Sequence, residues 1–190
     1  MTWGVPTPLD EELDRIMCID GLPVTFWIGG IARSLWFFSD GGEPRQRVNI
    51  GVRLLCEGDL ESAHALVNGR SRPPINDMPN AVYAGKLMTS RSKGDPALTA
   101  APFTRVYDAT ERFGPKTTMD TISAATISKN DVVLVECQLK RWKVGDKAKY
   151  SNKWVTWRCG FELSSVSLLY IAPDTSTDAY IDVDAETAFM

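Results

Sequence analysis

Apolar and polar residues alternate most regularly between Asn130 and Tyr170. NDVVLVECQLKRWKV places Val133, Val135, Cys137 and Leu139 on one face, and KWVTWRCGFELSSVSLLY does the same with Val155, Trp157, Cys159, Phe161 and Leu163. A period of two is the signature of a half-buried strand, because alternate side chains lie on the same side. The pattern predicts an antiparallel pair joined by the polar stretch GDKAKYSN. Its outer face carries Gln138, Lys140 and Trp142 on one arm and Trp154, Thr156 and Arg158 on the other. The expected register sets Trp142 against Trp154, Lys140 against Thr156 and Gln138 against Arg158, with Cys137 beside Cys159.

Two further strands are predicted upstream. In LPVTFWIGGIARS, Val24, Phe26 and Ile28 alternate with Thr25 and Trp27, and Gly29-Gly30 predicts a bulge or tight bend before LWFF. After the turn SDGGEP, RQRVNIGVRLLC sets Val48, Ile50, Val52 and Leu54 on one face and Arg47, Asn49, Gly51 and Arg53 on the other. GDLESAHALVNG predicts a short helix capped by Asp59 and ended by Gly69, and Asp10 a shorter one carrying Leu13, Ile16 and Met17. Six of the eleven prolines fall between Pro73 and Pro115, so 59–127 reads as a long insertion rather than a second globular domain, although AVYAGKLMTS and TRVYDATERFG within it are strand candidates. Residues 119–127 predict a short helix or strand. The expected organisation is one domain over 1–171 and an acidic, disordered tail over 172–190 that ends in Ala188-Phe189-Met190.

Charge changes this picture. Between Gln138 and Arg158 lie seven basic residues (Lys140, Arg141, Lys143, Lys147, Lys149, Lys153, Arg158) and one acid, Asp146. That segment is +6 in a chain of net charge -3, so the remainder sums to -9. A basic hairpin carrying aromatic rings suits a single-stranded nucleic acid, since phosphates seek cations and unstacked bases seek ring faces. Trp142 and Trp154 are the candidate stacking residues, followed by Tyr150, Trp27 and Trp36. Lys140, Lys143, Lys147, Lys149, Lys153 and Arg158 are the phosphate candidates, and Arg47 and Arg53, with Arg33 and Arg45, extend the track.

Other chemistry finds little support. His64 is the one histidine, and the four cysteines, Cys18, Cys56, Cys137 and Cys159, have no metal-ligand spacing. There is no phosphate-binding glycine loop and no nucleophile elbow. Glu136 and Glu162 share the outer face of the hairpin but lack a third acid. The expectation is a non-enzyme without cofactors or metal. No apolar run approaches a membrane span and the first residues do not form a secretory signal, so an intracellular protein, nuclear or cytoplasmic, with reduced thiols is expected.

The strand order also resembles a known family. The bend VTFWIGGIARS, the strand RVNIGVRLL, and the later KNDVVLVECQLKRWKVGDK are similar to the single-stranded DNA-binding protein family of OB-folds. Lys129, Asp131, Val133, Val135, Glu136, Leu139 and Asp146 follow the order of its late strand, while Asn130 and Cys137 replace family glycines. The likeness covers roughly 22–57 and 128–171. It implies a mainly β, OB-fold-like five-stranded barrel with a long insertion and short helices. It further implies sequence-independent binding of single-stranded DNA (or RNA), and it allows a homo-oligomer and a protein partner for the acidic tail. The competing reading is a protein-interaction or structural β-barrel whose basic hairpin meets an acidic partner.

Overall fold

The computed structural model describes residues 1–76, 79–91, 98–145 and 153–173. Five strands form its centre: β1 Phe26–Phe38, β2 Pro44–Leu54, β3 Val82–Leu87, β4 Val132–Lys143 and β5 Trp157–Tyr170. They bond in the order β4-β1-β2-β3-β5, and β4 also pairs with β5, so the ring closes. The contact between β3 and β5 is parallel and the other four are antiparallel. This is the OB-like barrel. A short strand, Val106–Asp108, lies parallel to β5 beyond β3.

The alternating residues fill the barrel. Val48, Ile50, Val52, Val133, Val135, Cys137, Leu139 and Leu163 are each at most 1% exposed. At about 25 cal/mol per Å² of apolar area removed from water, this set dominates the stabilisation. Alternation slips in β5 at Ser164, where the partner of Glu136 is Ser165 but the partner of Cys137 is Leu163. The bulge absorbs one residue, and so Val166 and Leu168 still face inward.

β1 serves two neighbours. Its first half pairs with β4 and its second half with β2. The strand runs unbroken through Gly29-Gly30, and its register shifts lie instead between Ala32 and Ser34 and between Trp36 and Phe38. Gly30 has a packing role: a Cβ there would collide with the carbonyl oxygen of Arg53 and the Val52 side chain.

Several expectations change. The helix α1 spans Glu57–Arg70, starting two residues before Asp59 and running through Gly69. Ser71 ends it, and the Ser71 hydroxyl accepts a hydrogen bond from the Cys159 amide (3.0 Å), tying the helix to β5. The segment after Asp10 holds only a 3-10 turn, Leu13–Arg15, then a strand, Met17–Ile19, that pairs with Thr2–Trp3. The stretch 59–127 supplies the third barrel strand, whose VYAGKL alternation is short and flanked by prolines. In 119–127 the ordered element is a 3-10 turn, Ala124–Thr126. From 174 on, the acidic tail lies outside the described residues.

The hairpin register differs as well. Trp142 pairs with Arg158, Lys140 with Gly160 and Gln138 with Glu162. The faces keep their predicted phase because the shift is an even number of residues, and alternation cannot distinguish registers an even step apart. Cys137 lies opposite Leu163 and Cys159 opposite Arg141, so the two thiols are not paired neighbours, and all four cysteines are free.

Candidate nucleic-acid interface

The outward residues of β1, β2 and β3 form rows across the barrel. One row runs Ser34, Gly51, Tyr83; the next runs Trp36, Asn49, Gly85, and continues onto β5 at Glu162. Arg47 lies below these rows and Arg53 above them on the same strand, both exposed. The two arginines are six positions apart, about 20 Å of extended chain.

Glycines form the floor. A Cβ on Gly51 would strike the Ser34 hydroxyl and the Tyr83 ring, and a Cβ on Gly160 would meet the Trp142 ring at 3.0 Å. The Tyr83 and Trp142 rings therefore lie against bare backbone. A glycine in a strand interior marks close approach of another group, here a ring lying against the sheet. Trp142 remains 45% exposed in that position.

Charge separates this face from the hairpin's. The three strands β1, β2 and β3 contain Arg33, Arg45, Arg47, Arg53 and Lys86 and no acid. Arg45 Nε donates to the Phe38 carbonyl (2.8 Å). None of the five forms an ion pair among the described residues. Acids in this region stand off the three strands: Asp40 and Glu43 in the turn, Glu57, Asp59 and Glu61 on α1, and Glu162 on β5 beside Gly85. At the β5 end, Arg158 Nη1 donates to the Pro73 carbonyl (3.0 Å), and Arg72 lies 5.7 Å from the centre of the Trp157 ring.

On the outer face of β4 and β5 the two glutamates hold lysines. Lys140 Nζ lies 3.1 Å from Glu162 Oε2 and 3.7 Å from Glu12. Lys116 Nζ lies 2.9 Å from Glu136 Oε1, and Ser165 Oγ donates to Glu136 Oε2. Glu136 and Glu162, the two acids of this face, thus hold lysines. A polyanion gains little from a lysine already paired in this way.

Trp154 is tied into the body of the protein. Its indole N–H donates to Asp14 Oδ2 at 2.7 Å and its ring meets Trp157 edge-on. The Arg141 guanidinium sits 3.9 Å from the Trp154 ring, 4.5 Å from Trp3 and 5.2 Å from Trp157, and Arg141 Nε donates to the Asp14 carbonyl. Burial pushes the pKa of Arg141 down and the Asp14 carboxylate pulls it back. Lys143 Nζ lies 5.1 Å from the other contributor to this cluster, the Trp154 ring. Lys153 is exposed at the start of the returning arm. Lys147, Lys149 and Tyr150 lie outside the described residues.

Trp27 stands apart, 60% exposed, on the first half of β1 beside Glu136. Its ring meets Phe113 edge-on at 5.6 Å. Beyond Phe113 is a hollow of about 620 Å³ lined by Asp108, Glu111, Arg112 and Asp120 among others. The Asp108 carboxyl is held below the usual carboxylate range by its hydrogen bonds from Thr110. Three carboxylates to one arginine make this hollow unsuited to phosphates.

The face on β1–β3 thus gathers Arg47, Arg53 and Trp36 from the sequence candidates, borders on Trp142 and Arg158, and leaves out Trp27 and Trp154. Tyr83 and the glycine floor were not among those candidates, and Lys86, paired with Val48, lies on the other side of β3. Their signal was the alternation of VYAGKL, which sets Tyr83 and Gly85 on one face, but only the neighbouring strand gives that face a role.

No protein-family model matches the sequence, and no curated protein does. Among solved structures, the chain is similar to gp2.5, a single-stranded DNA binding protein encoded by bacteriophage T7. The sequences are 13% identical, the TM-score is 0.49, and the match covers 88% of this chain and 98% of that one.

Proposed function

We propose that this protein binds single-stranded nucleic acid, DNA before RNA, across the outer face of β1, β2 and β3, without chemistry. The observation that carries the reading is the charge of those strands: four arginines on β1 and β2, no acid and no ion pair among the described residues, with Lys86 on the opposite, inward side of β3. Phosphates release counterions on meeting unpaired Lys and Arg. Rings beside glycine backbone offer stacking surfaces, and a base in a duplex has no free face for them. Arg47 and Arg53 take phosphates, Trp36 and Trp142 take bases, and Arg158 extends the path toward β5.

The test is a tryptophan-fluorescence titration with oligo-dT and with a duplex of equal length, at two salt concentrations. Quenching by the single strand alone, weakened by salt and by the double variant Arg47→Ala/Arg53→Ala, is the expected result. Equal binding of both nucleic acids contradicts single-strand selectivity. Indifference to the double variant, with a strong response to Lys143→Ala/Lys153→Ala, returns the site to the hairpin. No binding at low salt leaves a protein-interaction barrel as the better account.

A further inference from the structure

Asn49 occupies an unusual place for an amide. Its neighbours on β2, Val48 and Ile50, point into the barrel and are fully buried, so its own side chain points outward. It nevertheless retains only 9% exposure, and Oδ1 has no hydrogen-bond partner. That oxygen lies 3.6 Å from where a Cβ on Gly85 would stand, in the space left by the missing side chain. Trp36 is its partner across the ladder on the other side. A buried acceptor without a donor costs about 1–3 kcal/mol. The same position filled by an apolar residue would avoid that cost.

The other buried orphan, His64 Nε2, is on α1, away from this face. Among the described residues, Asn49 alone combines an unsatisfied acceptor with the centre of the cationic surface. A recessed acceptor selects among bases. An exocyclic amino group projects beyond its ring, and a small movement of the side chains around Oδ1, which is closed to water, would bring the two together. The ring N–H of thymine lies between two carbonyl oxygens, which project further and would meet Oδ1 first, acceptor against acceptor. Asparagine is an established reader of adenine's amino group in other contexts.

We propose that Asn49 is a base-reading residue, whose Oδ1 accepts a hydrogen bond from the exocyclic amino group of a cytosine or adenine lying beside Trp36. This inference rests on the nucleic-acid reading above and makes it selective: the protein prefers amino-bearing bases to thymine at one position of the bound strand. The bond satisfies an acceptor that folding left bare.

Oligo-dC, oligo-dT, an abasic strand and a strand of pyrimidin-2-one nucleotides (cytosine without its amino group), all of one length, are titrated against the full chain at fixed salt. The expected order is oligo-dC tighter than oligo-dT by roughly fivefold to tenfold, the worth of one such bond, with pyrimidin-2-one falling to the oligo-dT level. Asn49→Leu should abolish the preference and raise the thermal midpoint. Equal affinity for oligo-dC and pyrimidin-2-one in the native protein overturns the proposal with no variant needed. So does a preference that survives Asn49→Leu. Failure to bind any strand, the abasic one included, removes the nucleic-acid reading itself and this one with it.

Discussion

Arg141, Asp131 and Cys137 are three polar or ionisable residues inside the fold, each accommodated by a different means. The Arg141 guanidinium is packed among Trp3, Trp154 and Trp157 and bonded to a backbone carbonyl. Asp131, 1% exposed, accepts hydrogen bonds from the amides of Ser128 (2.7 Å) and Ala172 (2.9 Å), which fastens the start of β4 to the end of β5. Cys137 donates a weak hydrogen bond to the Phe26 carbonyl (3.7 Å), and burial pushes its thiol up to about 12, from an ordinary 9.0. Burial also pushes Cys159 up to about 11. A thiol that ionises more easily in the unfolded chain stabilises the fold only while both states are protonated. Below the unfolded value the stability is intact. Above it the unfolded state sheds its proton first, and stability falls by about 1.4 kcal/mol per pH unit per thiol until the folded value is reached. Denaturant melts between pH 9 and 12 should therefore show a steep alkaline decline. Cys137→Ala should make that decline shallower, whatever it does to stability at neutral pH; an unaltered slope would count against the thiol as its source. None of this was readable from the sequence, where Cys137 is one more small apolar residue on an alternating face.

At the scale of elements, glycines do more for this barrel than their spacing suggested. The GG pair in β1 predicted a bend. The strand instead continues, and Gly30 lets β1 and β2 approach where β1 leaves β4 for its second neighbour. Gly30→Ala would press a methyl group against backbone that cannot yield, and overpacking of this kind costs about 1–3 kcal/mol. Urea unfolding should show a lower midpoint with an unchanged slope. A midpoint equal to the native one would mean that the two strands can separate without penalty. The hairpin teaches a complementary lesson. Its inward and outward faces were legible from alternation, because burial imposes that period directly. Its register was not, because Trp154 is drawn toward Asp14 and the ladder begins later, at Trp157.

For the whole molecule, the proposed function turns on charge, and its distribution is uneven. Sequence counting put the excess in the hairpin. In three dimensions two lysines of the β4–β5 side meet glutamates, Lys140 with Glu12 and Glu162 and Lys116 with Glu136. The cations of β1–β3 meet none among the described residues. If the four arginines contact phosphates, the logarithm of the binding constant should fall with the logarithm of salt at a slope of about -2.8, and Arg47→Ala/Arg53→Ala should reduce its steepness by about 1.4. A slope near zero, or one unaffected by the double variant, would place the polyanion elsewhere.

The sequence by itself determined the mainly β character, the inward faces of β1, β2, β4 and β5, and the helix between β2 and β3. These follow from periodicity, a local property enforced by burial at every second residue. It also marked Arg47, Arg53, Trp142 and Arg158 as surface candidates by parity, and Trp36 as a stacking candidate by its place near the first turn. Only the tertiary structure decided which cations have acidic partners, which tryptophans are bonded away, and that VYAGKL closes the ring. Those outcomes depend on residues such as Asp14 and Trp154, or Gly85 and Asn49, that are far apart in the chain and meet only when the barrel shuts.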